Sequence, residues 1–134
     1  MGRRILALRV PRAKMPSRCR VANIEYGLPT VEEARKRLTE EIRRATQAGV
    51  EVLKVIHGYR SSGIGGSLRE NLRRFLISRR KDKIIQARVW AEKWDIFDQT
   101  TRHILEVCPE VRKDRDLGMG NPGITIVLLS ASDV

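Results

Sequence analysis

Residues 51–76 read EVLKVIHGYRSSGIGGSLRENLRRFL, and three patterns follow one another within them. Glu51–Ile56 is short, apolar and β-branched, as an inner strand of a parallel pair is. His57–Ser67 is rich in Gly and Ser and reads as a loop. Leu68, Leu72, Phe75 and Leu76 then fall at helical spacing. Ser67 with Glu70 has the form of a capping box. Arg79, Arg80 and Lys81 close the helix with cations that suit its dipole. A strand that runs through a glycine loop into a helix is half of a β–α–β unit. Ligands gather at such strand ends, because loop amides and the helix N-terminus converge there.

Working upstream, Val21–Tyr26 (VANIEY) is a strand candidate, broken by Gly27-Leu28-Pro29. Thr30 and Glu33 form another capping box. Val31, Ala34, Leu38, Ile42 and Ala45 make one apolar stripe, and Gly49 ends the helix. On its outer face Glu32–Lys36, Glu33–Arg37 and Glu40–Arg44 are spaced as ion pairs. Downstream, Ile84–Ala91 is a third strand. Ile124–Leu129 is a fourth, opened by Asn121-Pro122-Gly123. Between them, Ile96, Phe97, Thr100, Ile104 and Leu105 predict a short helix stopped at Pro109, and 110–120 is expected to be looped. No internal repeat is visible.

The order strand–helix–strand–helix–strand–strand predicts an α/β fold. Right-handed crossovers place both helices on one face of the sheet. The expected architecture is a two-layer sandwich on a four-stranded mixed sheet, in one domain over 21–134. It carries an inserted helix and loop at about 92–119, and is preceded by a basic arm over 1–20.

The 134 residues suffice for one domain, and 41% hydrophobic with 32% charged residues argues against wholesale disorder. Aromatic residues are only 4%, so Ile, Leu and Val must build the core. The net charge of +11 suggests a polyanionic partner, with nucleic acid ahead of an acidic membrane. Seven of the basic residues (Arg3, Arg4, Arg9, Arg12, Lys14, Arg18 and Arg20) fall in the arm, with no acid among them. Such an arm neutralises phosphates without folding first; the alternatives are a solvated tail, or a true start at Met15 rather than Met1. The two cysteines, Cys19 and Cys108, are far apart, which argues against a zinc site or disulfide framework. No apolar run is long enough to span a membrane. The expectation is a cytoplasmic protein with no membrane partner.

The loop is the candidate site. Gly58, Gly63, Gly65 and Gly66 let phosphate oxygens approach the backbone, and Arg60, Ser61, Ser62 and Arg69 add donors. Arg69, Arg73 and Arg80 recur at spacings of four and seven, as a basic stripe beside the loop would. A Walker-type loop is excluded, because Ile64 stands where lysine is required after Gly63. A dinucleotide fingerprint is excluded by Leu68, which occupies the place of its third glycine.

The chain resembles the Smr (small MutS-related) domain family from about Val21 to Leu129. The strongest match is KVIHGYRSSGIGGSLRENLRRFL at 54–76, against a strand, then His-Gly-x-Gly, then a glycine-rich turn with Leu-Arg at the helix start. GLPTVEEARKRL at 27–38 and GITIVLL at 123–129 support it. The resemblance implies a fold like that of the C-terminal domain of translation initiation factor three. It also implies binding of DNA or RNA, a link to DNA repair or recombination and, in some members, nicking endonuclease activity. The family's first motif, Leu-Asp-x-His-Gly, is degenerate here: Ile24 and Tyr26 replace the aspartate and the histidine. Glu25 lies one position off, so strand alternation should turn it away from where the aspartate would point. Arg60 replaces the second glycine of His-Gly-x-Gly.

Cleaving a phosphodiester needs a positioned water, a base or metal, and stabilisation of developing charge. His57 is the candidate base, and magnesium or manganese is expected only if the chain is a nuclease. With no acid expected beside His57, and with Tyr26 able to stack on a base, binding is favoured over structure-selective nicking. A third reading is a protein-interaction module. Trp90, Trp94, Ile96 and Phe97 cluster near the insertion, so 90–119 is the candidate surface for a protein partner.

Overall fold

A computed structural model describes residues 18–58 and 67–129. Most of the basic arm, the loop residues Arg60, Ser61, Ser62, Gly63, Gly65 and Gly66, and the side chain of Ser67 lie outside the described residues. The elements in chain order are β1 (Cys19–Asn23), α1 (Val31–Gln47), β2 (Val52–Ile56), α2 (Ser67–Lys81), β3 (Ile85–Trp90), α3 (Gln99–Val107) and β4 (Ile124–Leu129). Short 3₁₀ turns at Ala91–Lys93 and Pro109–Lys113 flank α3.

The fold is α/β on a four-stranded mixed sheet of order β1-β2-β4-β3. β1 and β2 are parallel, and β4 lies antiparallel between β2 and β3. Both central strands are mostly apolar on both faces, so each face needs a cover. Leu53 and Val55 of β2, with Val127 and Leu129 of β4, meet α1 and α2 through Ala34, Leu38, Ile42, Ala45, Leu72, Phe75 and Leu76. Val52, Ile124, Ile126 and Leu128 turn to the other face. There Trp94, Ile104, Leu105, Cys108 and Val111 cover them. The segment between β3 and β4 therefore forms a second apolar core, adding a cover to the two expected layers.

Local boundaries follow side-chain chemistry. Thr30 and Glu33 close the expected capping box, with Glu33 N–H to Thr30 Oγ1 at 3.1 Å and Thr30 N–H to Glu33 Oε1 at 2.9 Å. That occupies Glu33. Arg37 reaches instead to the carbonyls of Ile24 (3.1 Å) and Tyr26 (2.7 Å). Glu40–Arg44 forms as expected at 3.1 Å. β1 starts two residues before the predicted strand and ends at Asn23, whose Oδ1 accepts from Glu25 N–H and turns the chain. α3 starts at Gln99, because Asp98 caps it through Thr101 N–H. Ile96 and Phe97 precede that cap and are exposed rather than helical. The predicted loop at 110–120 contains part of the 3₁₀ turn at Pro109–Lys113.

Candidate nucleic-acid interface

The parallel pair β1–β2 ends beside β4. The amides of His57 and Gly58 both donate to the Gly123 carbonyl, at 2.9 and 3.0 Å. Successive residues leave this point on opposite sides of the sheet. His57 goes to the helix side and is 2% exposed. Its Nδ1 donates to the Gly58 carbonyl (2.7 Å), so its Nε2 accepts from the Thr125 hydroxyl (2.9 Å). Burial lowers its pKa below the ordinary histidine value, and the nearby Arg73 and Arg69 add to this, against the opposing bond to Gly58. His57 is therefore a neutral imidazole with both nitrogens engaged.

The predicted site residues that are described divide into two groups. Arg69 and Arg73, on the first turns of α2, stand near enough to His57 to bias its charge. Arg73 also makes a two-armed pair with Glu92 (2.8 and 3.1 Å) and lies 4.7 Å from the Trp90 ring centroid. Tyr26 sits past the end of β1 and is 63% exposed. Arg37 lies 4.1 Å from its ring centroid, so a guanidinium and a carbonyl contact fix the aromatic face from the α1 side. Trp94, one of the proposed partner-contact residues, is buried and donates to Asp114 Oδ2 at 2.9 Å. Phe97 and Ile96 remain exposed.

On the other side of the strand ends is a cleft of about 460 Å³ that sequence reading did not anticipate. Glu25, Lys54, Gly58, Arg115, Asp116 and Asn121 line it. Alternation holds as expected: Ile24 is buried under the helices and Glu25 points the other way. The cleft, however, is on Glu25's side. An acid therefore does stand at the strand ends, against Gly58. A Cβ on Gly58 would lie 2.0 Å from Glu25 Oε2, and Gly58 has φ of +73°. Glycine meets both demands.

Lys54 sits in mid-β2, buried, with its Nζ 2.6 Å from both Asp114 Oδ1 and Asp116 Oδ2. Burial pulls its pKa down, but the two carboxylates outweigh it and the net shift is upward. The same contact, chiefly the hydrogen bond from Lys54, lowers the pKa of Asp116. Asn121 Nδ2 donates to Asp116 Oδ1 (3.2 Å), and Asn121 Oδ1 accepts from Gly123 N–H (2.9 Å). This network ties the insertion to β2 and builds the cleft wall. Its one sequence signal was a lysine inside an otherwise apolar strand. Among the described residues, no group of three or more His, Cys, Asp or Glu side chains is arranged to hold a metal ion. No helix among them is long and apolar enough to cross a membrane.

The sequence matches the family model described as Smr domain over residues 27–95. Among solved structures, the chain is similar to the Smr domain of Thermus thermophilus MutS2, at 24% identity and a TM-score of 0.48, covering 84% of this chain and 96% of that one. No curated protein matches it.

Proposed function

The chain belongs to the Smr domain family, and from that premise we propose that it binds DNA or RNA at the carboxyl ends of β1 and β2 and holds the strand rather than cutting it. The family association with nucleic acid supplies the substrate class. The state of His57 carries the choice between holding and cutting. A general base must reach the proton it removes. This imidazole is buried, with one nitrogen donating to a backbone carbonyl and the other accepting from Thr125. Its role in this reading is to fix the start of the glycine loop. The binding groups are the loop itself (Gly58, Arg60, Ser61, Ser62, Gly63, Gly65 and Gly66), Arg69 and Arg73 for phosphates, and Tyr26 for a base.

The test is fluorescence anisotropy with duplex, branched and single-stranded probes, at two salt concentrations. Affinity is expected to fall steeply with salt. Arg60→Ala or Arg69→Ala should weaken all probes by about tenfold or more, as loss of a charge-assisted phosphate contact does. Tyr26→Ala should weaken single strands most, since stacking needs an open base. Salt-insensitive binding, or none, would remove the proposal. A supercoiled plasmid with magnesium or manganese tests cleavage. Nicking abolished by His57→Ala would favour the endonuclease instead.

A further inference from the structure

We propose that the β3 side of α2 is a phosphate track that leads from the strand ends to a second anion pocket at the far end of the helix. The inference rests on the nucleic-acid reading above and extends it to how the strand runs. Contacts connect the track along its length. Arg73 lies 4.7 Å from the centroid of Trp90, and Arg88, from β3, lies 4.9 Å from the same centroid. Arg88 in turn is close enough to Arg80 to feel its charge. Arg80 donates through Nε to the Gln86 carbonyl at 3.4 Å, and Arg80, Lys81, Lys83 and Gln86 line an open pocket of about 350 Å³.

Carboxylates are spread unevenly along this surface. Glu92 offsets Arg73, and Asp82 pairs with Arg79. Among the described residues no carboxylate pairs with Arg80 or Arg88. The Nε of Arg88 is buried with no hydrogen-bond partner. Burial first, then Arg80, holds the Arg88 guanidinium below its ordinary pKa. Two like charges held together without an acid are relieved by an anion. The backbone adds a separate observation. Lys83 has φ of +63°, a left-handed conformation that glycine would adopt without strain. A lysine is held there, beside the pocket, at a conformational cost.

Dimensions fit a sugar–phosphate chain. Arg69 and Arg80 are eleven residues apart on one helix, or about 16 Å along its axis. That is longer than one phosphate group. A compact anion would occupy only one end. The track therefore predicts that affinity grows with probe length until the pocket is reached.

The experiment compares the full chain with Arg80→Ala/Arg88→Ala and with Lys83→Gly. Probes are labelled single strands of about four and about twenty nucleotides, titrated across salt. The long probe should lose about tenfold in affinity with the double variant, and the slope of log affinity on log salt should fall by one to two. The short probe should be unaffected. Lys83→Gly should also weaken the long probe while melting no lower than wild type, because it removes the left-handed lysine. A weaker binder with an intact fold separates lost contact from lost structure. Unchanged affinity and slope in both variants, with wild type still binding, would overturn the track and leave the strand-end site standing. Failure of wild type to bind any probe would instead remove the nucleic-acid reading. Loss of binding to phosphatidylglycerol vesicles, with nucleic-acid binding unchanged, would also overturn the track.

Discussion

Replacing Lys54 with Met tests what holds the cleft together. Met keeps most of the apolar stem, so the change removes mainly the charge. In wild type the ammonium is shared by Asp114 and Asp116 at 2.6 Å each, with all three side chains at most 15% exposed. Breaking a buried pair from one side costs about 3–5 kcal/mol, because the remaining charge loses its partner. Trp94 still donates to Asp114, and Asn121 to Asp116. Those bonds place the expected loss near the lower end, about 3 kcal/mol. For a chain of this size that lowers the melting temperature by about 10 °C. Asn at 114 and 116 in the same chain should restore over half, since neither amide needs a cation. The pH dependence follows from sign. Lys54 lowers the Asp116 pKa, so wild type loses that stabilisation as pH falls below the ordinary aspartate value. Without Lys54, Asp116 takes up its proton more readily, and the gap between the two proteins should narrow between about pH 5 and pH 3. Thermal and urea melts across pH measure this. A loss under about 1 kcal/mol, or a triple variant no better than Lys54→Met, would refute the reasoning.

Two further outcomes are expected. Gly58→Ala should cost about 1–2 kcal/mol for its left-handed backbone. Adding Glu25→Ala should return less than half of that, because it relieves only the side-chain contact; complete recovery in a denaturant titration would mean the glycine serves Glu25 alone. The lowered pKa of His57 means that the unfolded chain binds its proton first, so stability is full above about pH 6.5 and declines as pH falls from there. His57→Gln should be less stable at pH 7.5 but flatter between about pH 6.5 and pH 5, and an equally steep decline in that variant would assign the dependence elsewhere.

The two apolar cores also bear on where ligands can reach. α1 and α2 close the helix side of the sheet, and α3 closes the other. Among the openings left between described residues are the strand ends and the α2–β3 margin. Both are reached by arginines whose guanidinium groups lie over aromatic rings, as with Arg37 on Tyr26 and Arg73 and Arg88 on Trp90. A guanidinium stacked in this way is oriented before a phosphate arrives.

The sequence by itself determined the elements that depend on near neighbours. The Thr30–Glu33 box, the stripe of α1, and the strand and the helix on either side of 59–66 are legible because capping and amphipathic spacing act over a few residues. The insertion of β4 between β2 and β3 was not, because pairing joins residues some seventy positions apart, such as Lys54 and Ile126. Nor was the partnership of Lys54 with Asp114 and Asp116, or the side of the sheet on which Glu25 matters. Those depend on which face the insertion covers, and a side chain's partners across a sheet exist only once distant segments are packed together.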